Sequence, residues 1–465
     1  MKHLFYCIAI IFATTFMFSC NPTGTTDSTP TPTTLTVLEG EITSNRTLDA
    51  NQKYLLKNFV YVKDGATLTI PAGTVIFGDK DTKGTLVVEQ GGKLIANGTA
   101  ARPIIFTSNR PRGQRSYGDW GGVVLIGKAP HNQVSSTIFE GGIRGSYGAL
   151  NVPNDDSGIL RYVRIEFAGV ALGSAANSEI NGLTLYGVGS ATTIEYVQVS
   201  YSGDDSFEWF GGTVNCKYLI AHRGFDDDFD TDHGYTGKVQ FGVSLRDPSI
   251  ADASTSNGFE SDNFNLGTPA TGPNAGLPLT QPIFANMSCF VTAGTPSGAI
   301  IGGSGGYGRG MHLRRNTACD IYNSVMVGYP EGLRLDGSST YTNATTSALE
   351  LRGVVLANMT KDLAGTTTTV GQGTDAEVAA YFNSTNPNRM NQIVSGANLS
   401  TLMLNANNFN LTTPNFLPQM GSPLLTGAAT LPADPFFTTV TYRGAFGTMD
   451  WTTGWTNFDP QNTDY

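Results

Sequence analysis

The chain has 465 residues, a formal net charge of −10 at pH 7, 56 glycines and only 14% charged residues. A net negative charge of this size argues against nucleic acid as a partner and against electrostatic binding to anionic lipid. Thr, Ser and Asn are abundant and helical periodicity is scarce, which is typical of an all-β protein outside the cytoplasm.

Residues 1–19 form a predicted targeting segment. A short basic start precedes the apolar run 4–18, which is too short to span a membrane comfortably. The small residue before Cys20 resembles a bacterial lipoprotein signal, with cleavage before Cys20 and lipid on its thiol. The alternative is an ordinary secretory signal with an incidental cysteine. Residues 20–34 are rich in Thr and Pro, too polar to pack, and are predicted to tether the folded domain to the membrane.

The chain from residue 35 onward reads as a succession of short strands. Runs such as TLTIPAGTVIFG, TLVVEQGGKLIANGT and RPIIFTS alternate with glycine-containing turns. We expect one elongated domain, with its main body at residues 35–375 and its last coils and a C-terminal cap at residues 376–465. Three cysteines are predicted to be buried thiols, because their spacing suits neither a disulfide framework nor a zinc site: Cys216, Cys289 and Cys319.

An acidic stretch near the middle of the chain repeats itself. The copies at residues 194–208 and 216–230 are 22 residues apart and match at aromatic and acidic positions. The matching pairs are Tyr196 with Tyr218, Asp204 with Asp226, Asp205 with Asp227, Phe207 with Phe229 and Glu208 with Asp230. A third copy, NGFESDNF, follows at an offset of 30, so one turn carries a longer loop. A period in the low twenties with aromatic and β-branched cores predicts a solenoid, here a parallel β-helix.

Stacked coils bring the matching residues of the three copies together. Successive coils lie about 4.8 Å apart. We expect the aromatic residues to stack inward: Phe207, Phe229 and Phe259. Because strand residues alternate in direction, their neighbours would form one outward carboxylate row of Glu208, Asp230 and Glu260, with Asp232 and Asp262 beside it.

Such a row needs compensation for its charge. Two carboxylates about 5 Å apart repel by roughly 3 kcal/mol at an effective dielectric constant of 20. Protonation, a basic neighbour or a bound cation must offset this repulsion, and clustered carboxylates are the ligands that Ca²⁺ prefers. The candidate ligands of a structural Ca²⁺ are Asp204, Asp205, Glu208, Asp226, Asp227, Asp228, Asp230, Asp232, Glu260 and Asp262. The alternative is that some of these acids only cap turns.

The same acids allow an enzymatic hypothesis. A glycoside hydrolase uses one carboxylic acid as proton donor and one carboxylate to activate water. The candidates are Asp204 with Asp205 and Asp227 with Asp228, but the Asn-Thr-Asp and Arg-Ile-Lys segments of polygalacturonase-like glycosidases are absent. A polysaccharide lyase would need a cation to neutralise a uronate and an Arg or Lys as base. The candidate bases are Arg223, Arg309, Arg314 and Arg315.

A basic, aromatic loop, RPRGQRSYGDW, gives a second candidate surface. Its aromatic residues are suited to stacking on a sugar ring, and its arginines to binding acidic groups. The possible ligand-binding residues are Arg110, Arg112, Tyr117 and Trp120, with Trp209 beside the acidic row. The alternative for Trp120 is that it packs beneath the loop.

Three segments together resemble a known group of proteins. The opening, PAGTVIFG followed by LVVEQGGKLIANGTAARPIIFTS and GDWGGVVLIGKAP, is similar to that of many secreted right-handed β-helix proteins of the pectin-lyase-like type. The others are GFDDDFDTDHG with GFESDN, and the ending YRGAFGTMDWTTGWTNFDP. Together they resemble β-helical outer-membrane lipoproteins of the Bacteroidota. The resemblance implies the fold and the location, but no activity.

These observations predict an all-β protein, a right-handed parallel β-helix with a C-terminal cap, anchored by lipid in the outer membrane at the cell surface. We expect it to be stabilised by Ca²⁺ and to act as a binding or interaction module for a glycan or for a neighbouring outer-membrane protein. The alternative function is a polysaccharide lyase or glycoside hydrolase that uses the acidic groove around residues 204–232.

Overall fold

A computed structural model describes residues 35–173, 178–263, 276–292 and 305–465. The predicted targeting segment, Cys20 and the tether lie outside the described residues. The strands, in chain order, are β1 (Thr36–Ile42), β2 (Arg46–Thr47), β3 (Lys53–Val62), β4 (Thr67–Ile70), β5 (Val75–Gly78), β6 (Thr85–Val88), β7 (Lys93–Asn97), β8 (Ile104–Ser108), β9 (Val123–Ile126), β10 (Gly158–Glu166), β11 (Leu183–Tyr186), β12 (Thr193–Ser200), β13 (Phe207–Phe210), β14 (Asn215–His222), β15 (Phe229–Asp232), β16 (Lys238–Leu245), β17 (Phe259–Ser261), β18 (Ile283–Phe290), β19 (Arg309–Leu313), β20 (Asp320–Tyr322), β21 (Val325–Val327), β22 (Glu331–Leu335), β23 (Leu351–Arg352), β24 (Val355–Ala357), β25 (Lys361–Ala364) and β26 (Gln392–Val394). The helices are α1 (Ser338–Thr345) and α2 (Asp375–Phe382), and there are 3₁₀ turns at Gly396–Leu402, Pro423–Leu425 and Pro460–Asn462.

Each pairing between these strands is parallel, and each strand pairs with a strand of a neighbouring coil. The strands therefore stack into three faces of a coil. One face, which we call the acidic face, consists of β6, β9, β11, β13, β15, β17, β19, β22 and β25 in that order. The predicted right-handed parallel β-helix is confirmed.

The inner core contains the predicted aromatic stack. Phe207, Phe229 and Phe259 are partners in the strand register and are at most 1% exposed. Their ring centroids are 5.8 and 5.3 Å apart from one coil to the next. The prediction that these rings stack inward on three successive coils is confirmed, because equivalent residues of a solenoid lie over one another.

A second aromatic stack forms the bend inside the long strands β10, β12, β14 and β16. Tyr162, Tyr196, Tyr218 and Phe241 all have positive φ angles, between 49° and 64°. Their rings are stacked with centroids 4.4, 4.3 and 5.1 Å apart. A left-handed backbone is unfavourable for such residues, and ring stacking offsets this cost by about 0.5–1.5 kcal/mol per pair. The repeat of Tyr196 and Tyr218 in the sequence therefore marks a corner of the coil.

The C-terminal segment after β26 returns along the outside of the coil. The side-chain amides of Gln198, Gln240 and Asn323 each donate to one backbone carbonyl and accept from one backbone N–H of this segment. Its aromatic residues Phe416 and Trp455 are buried against apolar residues of β14, β16, β18, β21, β24 and β26 and form a hydrophobic cluster with them. The segment thus covers a side of the coil, while a cap over the last coil stays a prediction.

Two further properties bear on the chemistry of the chain. Cys216, Cys289 and Cys319 are free and fully buried, which confirms the prediction of buried thiols. Among the described residues, no helix is long and apolar enough to cross a membrane.

Candidate metal centre

The outward residues of the acidic face change in chemical character from coil to coil. In register order, one row reads Val87, Val124, Thr184, Glu208, Asp230, Glu260, His312 and Arg334. The predicted order Glu208, Asp230, Glu260 is confirmed by this register. The row therefore passes from apolar residues through three carboxylates to basic residues.

A cleft of about 710 Å³ lies over the acidic part of this row. Its lining contains two arginines, Arg314 and Arg315, and twelve carboxylates. The carboxylates are Glu140, Glu179, Asp204, Asp205, Glu208, Asp226, Asp227, Asp230, Asp232, Asp252, Glu260 and Asp262. Nine of the ten predicted metal ligands are therefore brought together in one cleft, and carboxylates outnumber arginines six to one.

A ladder of side-chain-to-backbone hydrogen bonds places the turns that carry these acids. Asn181 Oδ1 accepts from the backbone N–H of Asp205 at 3.2 Å, and Asp205 Oδ1 accepts from that of Asp227 at 2.8 Å. Asp227 Oδ1 then accepts from the backbone N–H of Asn257, and Asn257 Oδ1 from that of Arg309 at 2.9 Å. Each rung joins one coil to the next, so the turn-capping role considered for these acids is present for Asp205 and Asp227.

One end of the cleft is neutralised by the protein itself. Asp262 accepts from Arg314 Nε at 2.6 Å and from Arg315 Nη1 at 2.7 Å, and Glu260 forms ion pairs with Arg314 and, at 3.1 Å, with His312. Burial alone would raise the pKa of Glu260, but the hydrogen bond from His312 and the charge of Arg314 hold that pKa below its usual value. The protein itself therefore supplies positive charge to this end of the cleft.

At the other end the carboxylates face one another without a basic partner. Within the described part of the chain, no ion pair is formed by Asp204, Asp205, Glu208, Asp226 or Asp230. Burial, and then the charges of neighbouring carboxylates, raise the pKa of each of these five groups well above its usual value. The same two causes raise the pKa of Asp227 to about 7, with Glu260 as its principal acidic neighbour.

The spacing of these oxygens suits a hard cation. Three overlapping groups of three carboxylates have ligand oxygens within 4.8 Å of one another. Ca²⁺ binds oxygens at about 2.3–2.6 Å, so two ligands on opposite sides of one ion are about 5 Å apart. Asp226 Oδ1 and Asp230 Oδ1 are also buried without a hydrogen-bond partner among the described residues. The residues present therefore fit a Ca²⁺ ion.

Comparison with known proteins identifies the fold family. A family model described as a pectate-lyase-like β-helix domain matches residues 40–404, most of the chain and all of the acidic cleft. The chain belongs to this family. Membership supports a binding or carbohydrate-active role in general terms and confirms the predicted pectin-lyase-like solenoid. Comparisons with curated proteins and with solved structures give no match.

Two of the metal-ligating residues predicted for this pectate-lyase-like domain, Asp228 and Asp232, already have partners within the protein. Asp228 is fully buried away from the cleft and forms an ion pair of 3.0 Å with the equally buried Arg246. Asp232 lines the cleft, but both of its oxygens already face His233, at 2.6 Å from the backbone nitrogen and 3.3 Å from Nε2. Neither is among the carboxylates grouped closely enough to share an ion.

Two of the five possible sugar-binding residues, Trp120 and Trp209, need correction. Trp120 and Trp209 are fully buried in the inner core, where Trp120 Nε1 donates to the Glu166 carbonyl at 2.8 Å, so neither ring is available to stack on a ligand. Tyr117 packs against Tyr201 and Phe225. Arg110 is exposed, and Arg112 pairs with Asp464 at 2.7 Å. The alternative that Trp120 packs beneath its loop is confirmed.

The candidate arginine bases are also engaged. Arg223 pairs with Asp247, and Arg309 with Glu331, and neither arginine lines the cleft. Arg314 lines it, but Glu260 and Asp262 raise the pKa of its guanidinium against the effect of burial. A guanidinium held this strongly in its charged form does not accept a proton, which argues against Arg314 as the base of a lyase.

Sequence reasoning missed several residues that line the cleft or bond to its acids. Asn257 lies 30 residues after Asp227, the same offset that identified the third copy, so the repeat could have revealed it. Glu140, Glu179 and Asp252 come from loops that lie outside the repeat. No period in the sequence indicates their positions.

Proposed function

We propose that the acidic cleft binds divalent cations, Ca²⁺ foremost, and that the cation-bound protein is a binding or interaction module. The observation that carries this proposal is the open end of the cleft, where five carboxylates share one space without a basic partner among the described residues. Ionised carboxylates at such spacing repel one another, and burial strengthens the repulsion. A divalent cation offsets both the repulsion between the carboxylates and the cost of burying their charge.

We propose an oxygen-rich glycan as the ligand of the cation-bound cleft. A volume of about 710 Å³ is in the range of small-molecule sites. A cation held by protein carboxylates on one side keeps coordination positions for ligand oxygens on the other. Membership of the pectate-lyase-like family supports a carbohydrate-related role. The competing partner, a neighbouring outer-membrane protein, would be recovered by crosslinking in intact cells, whereas a glycan would bind to the purified protein.

Calorimetric titration of the chelator-treated protein tests the cation directly. We expect Ca²⁺ to bind, and we expect Asp230→Asn to weaken binding by roughly tenfold or more, because a ligand oxygen loses its charge. Asp64→Asn is the matched control, since the Asp64 side chain is 80% exposed and lies outside the cleft. Absence of Ca²⁺ binding to the unmodified protein, or equal affinity in the two variants, would overturn the proposal.

The enzymatic alternative predicts a different result for the Asp230→Asn variant. Family membership is the observation that favours a polysaccharide lyase or glycoside hydrolase. In that case Asp230→Asn would abolish turnover of an acidic polysaccharide while leaving the melting temperature nearly unchanged. A binding module would show no turnover in either form.

We further propose that Cys20 anchors the protein in the outer membrane, as in the β-helical lipoproteins of the Bacteroidota that the sequence resembles. Cys20→Ser is expected to move the protein from the membrane fraction to the soluble fraction, because stable attachment requires more than one acyl chain and all of them depend on this cysteine. The measurement is an immunoblot of separated fractions. Unchanged membrane association of the variant would contradict the anchor.

A further inference from the structure

The open end of the cleft contains two overlapping groups of carboxylates. The first group is Asp204, Asp205 and Asp226, and the second is Asp205, Glu208 and Asp230. Within each group, one oxygen per residue lies within 4.8 Å of the others, but the five residues do not form one group at this distance. Asp205 belongs to both groups and lies between them.

The third group of carboxylates, Asp227, Asp230 and Glu260, differs because basic side chains contact one of its members. The side-chain donors to the first two groups, Asn181 to Glu208 and Ser254 to Asp226, are uncharged. Glu260 is paired with Arg314 and His312. Asn257 Nδ2 donates to both Asp227 and Glu260, at 3.3 and 3.1 Å. The charge of Glu260 in this group is therefore compensated by the protein, whereas no member of the first two groups forms an ion pair within the described part of the chain.

Each of the first two groups also contains a carboxylate with a buried oxygen that receives no hydrogen bond from the described residues. Asp226 belongs to the first group, and Asp230 belongs to the second group and also to the third. The Oδ1 atom of each is shut off from solvent without a hydrogen-bond partner among the described residues. Turn capping does not account for them, because a capping oxygen has an N–H partner. A buried oxygen without a partner is costly, so each group requires a ligand of its own.

We infer that the cleft binds two divalent cations, one in each of these groups, with the Asp205 carboxylate bridging them. The inference rests on the proposed cation binding and adds the number of ions and the bridging residue. Both groups span the same two coils, so the two cations would lie side by side along the coil. At about 4 Å apart, as in two-metal sites, they would repel only slightly more strongly than one of them attracts a carboxylate oxygen at about 2.4 Å, since the charge product is doubled and the distance nearly so. Three carboxylates for each cation outweigh that repulsion.

Stoichiometry measured with Ca²⁺ alone tests the inference. The unmodified protein is expected to bind two Ca²⁺ ions in equilibrium dialysis and calorimetry. Asp226→Asn removes a ligand of the first group only, and Glu208→Gln of the second only, so each variant is expected to retain one ion and to bind the other at least tenfold more weakly. Asp205→Asn is expected to weaken both. Glu260→Gln is the matched control and is expected to retain both ions, because the Glu260 carboxylate lies outside the first two groups and is already paired with Arg314 and His312.

The outcomes separate this inference from the proposed function. A single Ca²⁺ at saturation, lost equally in Asp226→Asn and Glu208→Gln, would overturn the two-cation arrangement and leave cation binding intact. Loss of an ion in Glu260→Gln would overturn the assignment to the first two groups. No binding by the unmodified protein would overturn both proposals. The variants are expected to fold, because Asn and Gln preserve the shape of the side chain and relieve the repulsion between carboxylates. Asp204→Asn provides a second variant of the first group.

Discussion

Without divalent cations, the protein is expected to lose stability as the pH rises from about 4 to about 7. Burial and Glu260 raise the pKa of Asp227 from 3.8 to about 7 in the folded state, and the five carboxylates of the open end are raised in the same direction. In this window the folded state holds protons that the unfolded state has released, so the free energy of unfolding falls by about 1.4 kcal/mol per pH unit for each such group. Glu260, whose pKa is lowered, contributes with the opposite sign.

Calcium is expected to reverse this loss near pH 8. A cation that binds only the folded state at one hundred times its dissociation constant adds about 2.7 kcal/mol to the free energy of unfolding. Thermal melts followed by circular dichroism at pH 5 and pH 8, with chelator and with Ca²⁺, measure the effect. A metal-free protein that is more stable at pH 8 than at pH 5, or a melting temperature at pH 8 that is indifferent to Ca²⁺, would contradict the expectation.

Phe229→Ala is expected to lower the free energy of unfolding by about 3–5 kcal/mol. The ring lies between Phe207 and Phe259 and also contacts Phe284, so its removal leaves a cavity on several coils at once. Denaturant unfolding measures the loss. Phe59→Ala is the control, because Phe59 is only partly buried and packs on the outside of the coil beside Tyr61. Equal losses in the two variants would contradict a central role of the inner stack.

The fold was predictable because each coil repeats a short local pattern. The pairs Phe207 with Phe229 and Glu208 with Asp230 fix both the inward and the outward rows once strand alternation is applied. The same alternation places Trp209 inward, two positions after Phe207, and so contradicts the surface role predicted for it.

The sequence does not predict where the side chains of turns and loops lie. Asp228 directly precedes β15, and strand alternation does not fix the direction of a turn residue, so its burial against Arg246 could not be foreseen. Glu140 and Asp252 reach the cleft through loops without a repeat. Their contribution depends on the tertiary path of each loop, which no local pattern encodes.

The returning C-terminal segment changes how the solenoid is expected to come apart. A stack of coils held only by nearest neighbours frays from its ends, one coil at a time. Here the amides of Gln198, Gln240 and Asn323 bind a single stretch of chain that passes coils between β12 and β21. Opening any of these coils therefore strains contacts with the others. The segment couples distant coils into one cooperative unit, and it lengthens the chain separation of native contacts, which slows folding.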